Sequence, residues 1–145
     1  MKHKWRLSLA VVLLSASASS CAHRGNSTVY FSTFSPREVA HVPTRGGKAE
    51  TIVDRAVAKA LQFDPCSEHL LLGTGFGIQR RDLDGTYIDT IARGRSVKKM
   101  AIDQRRGYVY TIADAKNGKV IERCAIKPGA QRETIISGLS GMART

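Results

Sequence analysis

Tryptophan is almost missing from this chain: the single one, Trp5, lies among the first twenty residues. Aromatic residues make up only 6% of the sequence, and few of them are interleaved with its basic residues. That scarcity, with no readable nucleic-acid motif, argues against a nucleic-acid role. Histidines are few as well. His23, His41 and His69 have no ligand spacing with one another or with the cysteines, so no metal site is expected. No nucleophile has a recognisable base partner, and Glu68-His69 reads as a solvated strand start, so no catalytic residues and no cofactor are expected. Gly73-Thr74-Gly75-Phe76-Gly77 is followed by no P-loop lysine and no Rossmann helix, which leaves a turn between two strands. Asp82-Leu83-Asp84-Gly85 fails as a calcium loop, because Arg80 and Ile91 stand near the places where the first ligand and the glutamate belong.

Acids are outnumbered, 12 against 23 Lys and Arg, for a formal net charge of +11. Removing Met1 to Ser20 takes away Lys2, Lys4 and Arg6 and no acid, which leaves 11 − 3 = +8. This surplus favours anionic surfaces. It is scattered in pairs, Arg80-Arg81, Lys98-Lys99 and Arg105-Arg106, rather than gathered in one run.

The only sustained apolar run, Leu7 to Leu14, is too short for a permanent membrane helix, which needs about 20 residues. It follows the basic start Lys2, Lys4 and Arg6 and precedes the small residues Ser15 to Ser20, the order of an export signal. Ala18-Ser19-Ser20-Cys21 resembles the lipobox of bacterial lipoproteins, with Ala18 where leucine is usual. The resemblance implies diacylglycerol on the Cys21 thiol and cleavage before it. Residues 1–20 are then a signal peptide and 21–28 a lipidated tether. Ala22 after the cysteine implies the outer membrane rather than the inner one, in a host that has both. Two other readings compete: cleavage after Ala16-Ser17-Ala18 to release a soluble protein, or an uncleaved anchor. Two or three acyl chains hold a protein firmly, since each buried CH₂ contributes about 0.8 kcal/mol.

The rest of the chain repeats. Glu50-Thr51-Ile52, Asp89-Thr90-Ile91 and Glu133-Thr134-Ile135 are one acid-Thr-Ile triplet, spaced 39 and then 44 residues apart, each preceded by a glycine at Gly47, Gly85 or Gly129. Lys59 to Asp64 aligns with Lys98 to Asp103, His69 to Leu72 with Tyr108 to Thr111, and Ile78 to Arg80 with Ile121 to Arg123. The blocks are short, aliphatic or β-branched, and separated by turn pairs such as Asp64-Pro65, Asp84-Gly85 and Asn117-Gly118. Four short strands repeating at about 40 residues is the period of a propeller blade. Alanine-rich Asp54 to Leu61 aligns with Arg93 to Met100, which is poor helix material, so it is not read as a helix.

Ile121 to Ile126, Arg132 to Leu139 and Ile78 to Gly85 resemble the YWTD repeat of low-density-lipoprotein-receptor-type propellers, and NHL-type propellers fit nearly as well. The resemblance implies an all-β fold of four-stranded antiparallel blades over residues 29–145, about two to three of them, where closed members of the family have six. Val29 to Ser32 reads as a second strand, like Val109 to Ile112, and Gly141-Met142-Ala143 as the start of the next blade. Either several copies close a ring, as a homo-oligomer, or the chain is a remnant of a longer protein; the incomplete count favours the remnant. The expected role is a membrane-anchored envelope module for binding or scaffolding, with membrane lipid and an anionic envelope component as partners. A propeller enzyme is the rival. Cys66 and Cys124 are candidates for a disulfide in an oxidising compartment.

Overall fold

The computed structural model describes residues 10–12, 28–34 and 36–139, all as strands, turns and loops. Twelve strands form three four-stranded antiparallel sheets. The first holds β1 (Ala10–Val12), β2 (Thr28–Phe34), β3 (Arg37–Pro43) and β4 (Glu50–Asp54). The second holds β5 (Ala60–Asp64), β6 (His69–Thr74), β7 (Gly77–Arg81) and β8 (Tyr87–Arg93). The third holds β9 (Val97–Asp103), β10 (Tyr108–Ala115), β11 (Gly118–Ala125) and β12 (Glu133–Leu139). Every sheet is ordered as in the chain, and the first strands β1, β5 and β9 are neighbours in space. Meandering sheets that meet along their first strands are propeller blades.

The repeat has a structural meaning that its residues alone did not disclose. In all three blades the third and fourth strands pair with an irregularity at the same point, between Val39 and Ala40, Ile78 and Gln79, and Ile121 and Glu122. The threonine of each triplet pairs with the residue just past that point: Thr51 with Ala40, Thr90 with Gln79, Thr134 with Glu122. The triplet isoleucine is the extra residue of the bulge, and bulges re-aim side chains in this way. Each triplet acid sits opposite a basic residue on the third strand. His41 Nε2 lies 3.3 Å from Glu50, Arg80 binds Asp89 with two nitrogens, and Arg123 Nε donates to Glu133 at 2.8 Å. Such cross-strand pairs contribute about 0.2–1 kcal/mol each and favour one register.

Two apolar layers lie between the blades. Tyr30, Val39 and Val53 of the first sheet pack on Leu61, Leu70 and Leu72 of the second. Leu71, Ile78 and Ile91 of the second pack on Val97, Met100, Val109 and Cys124 of the third. Strand β6 is therefore buried on both faces, which explains the uninterrupted Leu70-Leu71-Leu72. Gly73 is a space requirement: a Cβ there would lie 2.7 Å from Val97 Cγ1. Asp54 to Lys59 forms no helix; the chain leaves β4 through Arg55, at a φ of 57°, and enters β5.

The segment expected to serve as the export signal contributes β1, whose Ala10–Val12 pairs with Tyr30–Ser32 of β2. From β2 onward the described chain supplies three strands of the first blade and all four of the next two.

Candidate interaction surfaces

Cys21 and Gly141-Met142-Ala143 lie outside the described residues. Cys66 and Cys124, the two candidates for a disulfide, are not bonded to each other in this structure. Cys66 is exposed in the turn after β5, while Cys124 points from β11 into the apolar layer between the second and third blades. Burial raises the Cys124 thiol pKa, nearby Arg132 lowers it in part, and Glu122 raises it further.

Most of the conspicuous polar groups have structural partners. Asp64 accepts from the Cys66 amide at 3.1 Å and the Ser67 hydroxyl at 2.7 Å, and so shapes the β5–β6 turn. Asp82 and Asp84 shape the β7–β8 turn in the same way, accepting from the amides of Leu83 and Thr86, each at 2.8 Å. These bonds to the ionised form lower the Asp84 pKa. The Gly73–Gly77 segment is the β6–β7 hairpin, with exposed Phe76 at its tip. Among the described residues, no group of three or more His, Cys, Asp or Glu side chains is placed to hold a metal ion.

The basic pairs divide. Arg80 is held by Asp89, Arg81 donates to the Gly85 carbonyl at 2.8 Å and lies over the Tyr87 ring, and Lys98 is 2.9 Å from Asp114. Burial lowers the Arg81 pKa, and Tyr87 partly offsets that. Lys99, Arg105 and Arg106 remain exposed, the last two in the β9–β10 turn. By the repeat, the start of β2 at Thr28 corresponds to the start of β10, just after that turn. The end of the fold where the chain enters β2 is thus the end that carries Arg105 and Arg106.

The third blade and the loop that enters it share an ionic triad centred on buried Glu122, which the sequence did not signal. Glu122, with a side chain 5% exposed, accepts from Arg132 Nη1 at 3.0 Å and is also bound by Arg95. Arg132 Nη1 donates in addition to the Arg95 carbonyl at 3.2 Å. Two of the glycines ahead of the triplets, Gly85 and Gly129, bring the backbones of adjacent blades together. The Gly129 and Ala130 amides donate to the carbonyls of Thr90 and Ile91 at 3.1 and 2.6 Å. Gly85 lies against the Ile52 carbonyl so closely that a Cβ would stand 2.0 Å from that oxygen.

Two features face outward. A shallow groove of about 330 Å³ on the second blade is lined by Phe76, Tyr87 and Arg93, among others. The third blade presents an apolar face with nothing against it among the described residues. Its Ile135 and Ile136 are 44% and 45% exposed, whereas their counterparts Ile91 and Ala92 are 0% and 1% exposed.

No protein-family model and no curated protein matches the chain. Among solved structures it is similar to a chain in the crystal structure of a nidogen/laminin complex, with a TM-score of 0.70 at 17% identity. The match covers 81% of this chain and 46% of that one, so this chain spans about half the length of its structural neighbour. The neighbour is a β-propeller, and the likeness establishes the fold: all-β, built of propeller-like antiparallel blades.

Proposed function

We propose that the protein is a lipid-anchored lipoprotein of the bacterial cell envelope, cut before Cys21, whose propeller-like domain binds or scaffolds an anionic envelope component rather than catalysing a reaction. The observation that carries the lipid anchor is the order of basic start, short apolar run, small residues and Cys21. The fold supports a binding role, because the acids and bases that recur with the repeat are occupied in holding strands together. The end where the chain enters β2 also carries Arg105 and Arg106, so a short tether from Cys21 would bring these cations towards headgroups or a charged envelope polymer. The structural neighbour comes from a protein–protein complex, which is in keeping with a binding module.

Cleavage before Cys21 would remove β1 and free the edge of β2 at Tyr30–Ser32. Unpaired strand edges recruit other strands, so the mature form would have an open edge to satisfy.

The test is metabolic labelling of the full chain with a radioactive fatty acid in a bacterial host, with membrane fractionation. Wild type is expected to carry label and to sediment with outer membranes. Cys21→Ala is expected to lose both. An unlabelled soluble product beginning at Ser19 would refute the anchor in favour of ordinary secretion.

A further inference from the structure

We propose that a second copy of this chain covers the open face of the third blade with the outer face of its own first blade, so that two copies close one ring. The argument is independent of lipidation and rests on interfaces already present twice inside the chain. Strand registers fix which residues correspond between blades. Tyr30, Leu71 and Tyr110 occupy one position on the second strands, and Val39, Ile78 and Ile121 one position on the third. In the first two blades these side chains point at the following blade and are buried there, apart from a trace of exposure at Tyr30. In the third blade Tyr110 and Ile121 are only half-buried, and Ile135 and Ile136 are exposed. That face has the composition of an interblade surface and has no neighbour among the described residues.

The complementary surface is on the first blade. Val29 and Phe31 alternate with inward-facing Tyr30 and Ser32, and Val42 pairs with Val29, so the three share the face turned away from the second blade. Their counterparts Leu70 and Leu72 in the second blade are the residues that receive the preceding blade. Gly47 agrees with this assignment. Gly85 lies against the Ile52 carbonyl and the Gly129 amide donates to the Thr90 carbonyl of the preceding blade, whereas Gly47, at a φ of 138°, makes neither kind of contact among the described residues. In the pair, Gly47 of one copy comes against the bulge at Ile135 of the other. Val29, Phe31, Val42 and Gly47 all follow the cleavage site, so the interface survives loss of the leader. A head-to-tail contact closes when its rotations complete a turn. Two copies of three blades make six, inside the range of about four to eight blades for closed propellers.

The experiment is light scattering after size exclusion on the full chain carrying Cys21→Ser, which keeps lipid off the protein. The expected mass is twice that of one chain at every concentration above the dissociation constant. Ile136→Glu, on a side chain exposed in the single copy, and Phe31→Glu, on the opposite face, are each expected to weaken the pair by about tenfold or more, since each places a charge in an apolar contact. Phe76→Glu, at an exposed hairpin tip outside both faces, is expected to leave it unchanged. An equimolar mixture of the Ile136→Glu and Phe31→Glu chains regains association, because one of the two contacts in the mixed pair is then wild type; a misfolded variant would not do this. A single-chain mass, an open-ended series of masses, or a pair indifferent to Phe31→Glu would overturn the proposal.

Discussion

The contact between Gly85 and the Ile52 carbonyl lends itself to measurement, because a closely related glycine serves as its control. Gly85 has a φ of 90°, and a Cβ there would stand 2.0 Å from Ile52 O and 2.9 Å from Val53 Cγ2. Neither neighbour is the flexible end of a long side chain, so the first and second blades would have to separate. Gly129 precedes the next triplet with a φ of 65°, and a Cβ there would meet nothing within 4 Å. Alanine at either site carries the backbone penalty of a positive φ, about 1–2 kcal/mol. Only Gly85→Ala adds overpacking, about 1–3 kcal/mol. In urea, with a slope of about 2 kcal/mol per M, that difference lowers the Gly85→Ala midpoint by about 0.5–1.5 M relative to Gly129→Ala. Urea unfolding of the two variants, followed by circular dichroism, reads the difference directly. Equal midpoints would refute the claim that Gly85 is a point of close approach between the first and second blades.

Three further outcomes concern Glu122 and the two cysteines. Glu122→Ala leaves Arg132, whose side chain is 8% exposed, without its carboxylate, and is expected to destabilise the fold by about 3–5 kcal/mol; a loss below 1 kcal/mol by urea unfolding would show that the triad holds nothing together. At pH 8, iodoacetamide is expected to modify exposed Cys66 and to spare buried Cys124 until the chain unfolds, as peptide mass mapping would show. Because folding raises the Cys124 pKa, its contribution to stability is fully present below the ordinary thiol value of about 8.5 and is lost as pH rises through the folded value. Stability that rises between pH 8 and pH 10 in the wild type relative to Cys124→Ala would contradict that sign.

The four-strand period, the strand character of each block and the turns at Asp64-Pro65, Asp84-Gly85 and Asn117-Gly118 were legible in the residues, because strand length, alternation and turn chemistry are local properties. The placing of Val29 to Ser32 as a second strand was legible for the same reason: it resembles Val109 to Ile112 in side-chain pattern, and both become second strands. The proposed export signal and anchor at Cys21 rest on the linear sequence alone, since Cys21 lies outside the described residues.

Other features depend on where one blade sits against the next. Nothing in the spelling of Glu50-Thr51-Ile52 says that its isoleucine is the extra residue of a bulge or that its acid answers His41, because that pairing is set by a register across the sheet. Arg95, Glu122 and Arg132, 27 and 10 residues apart along the chain, meet only when the third blade folds against the loop that enters it. The burial of Cys124 comes from the packing of the second blade on the third, while Cys66 stays exposed in a turn. The same isoleucine of the same triplet is buried at position 91 and exposed at 135, since burial belongs to the neighbouring blade and not to the residue that receives it.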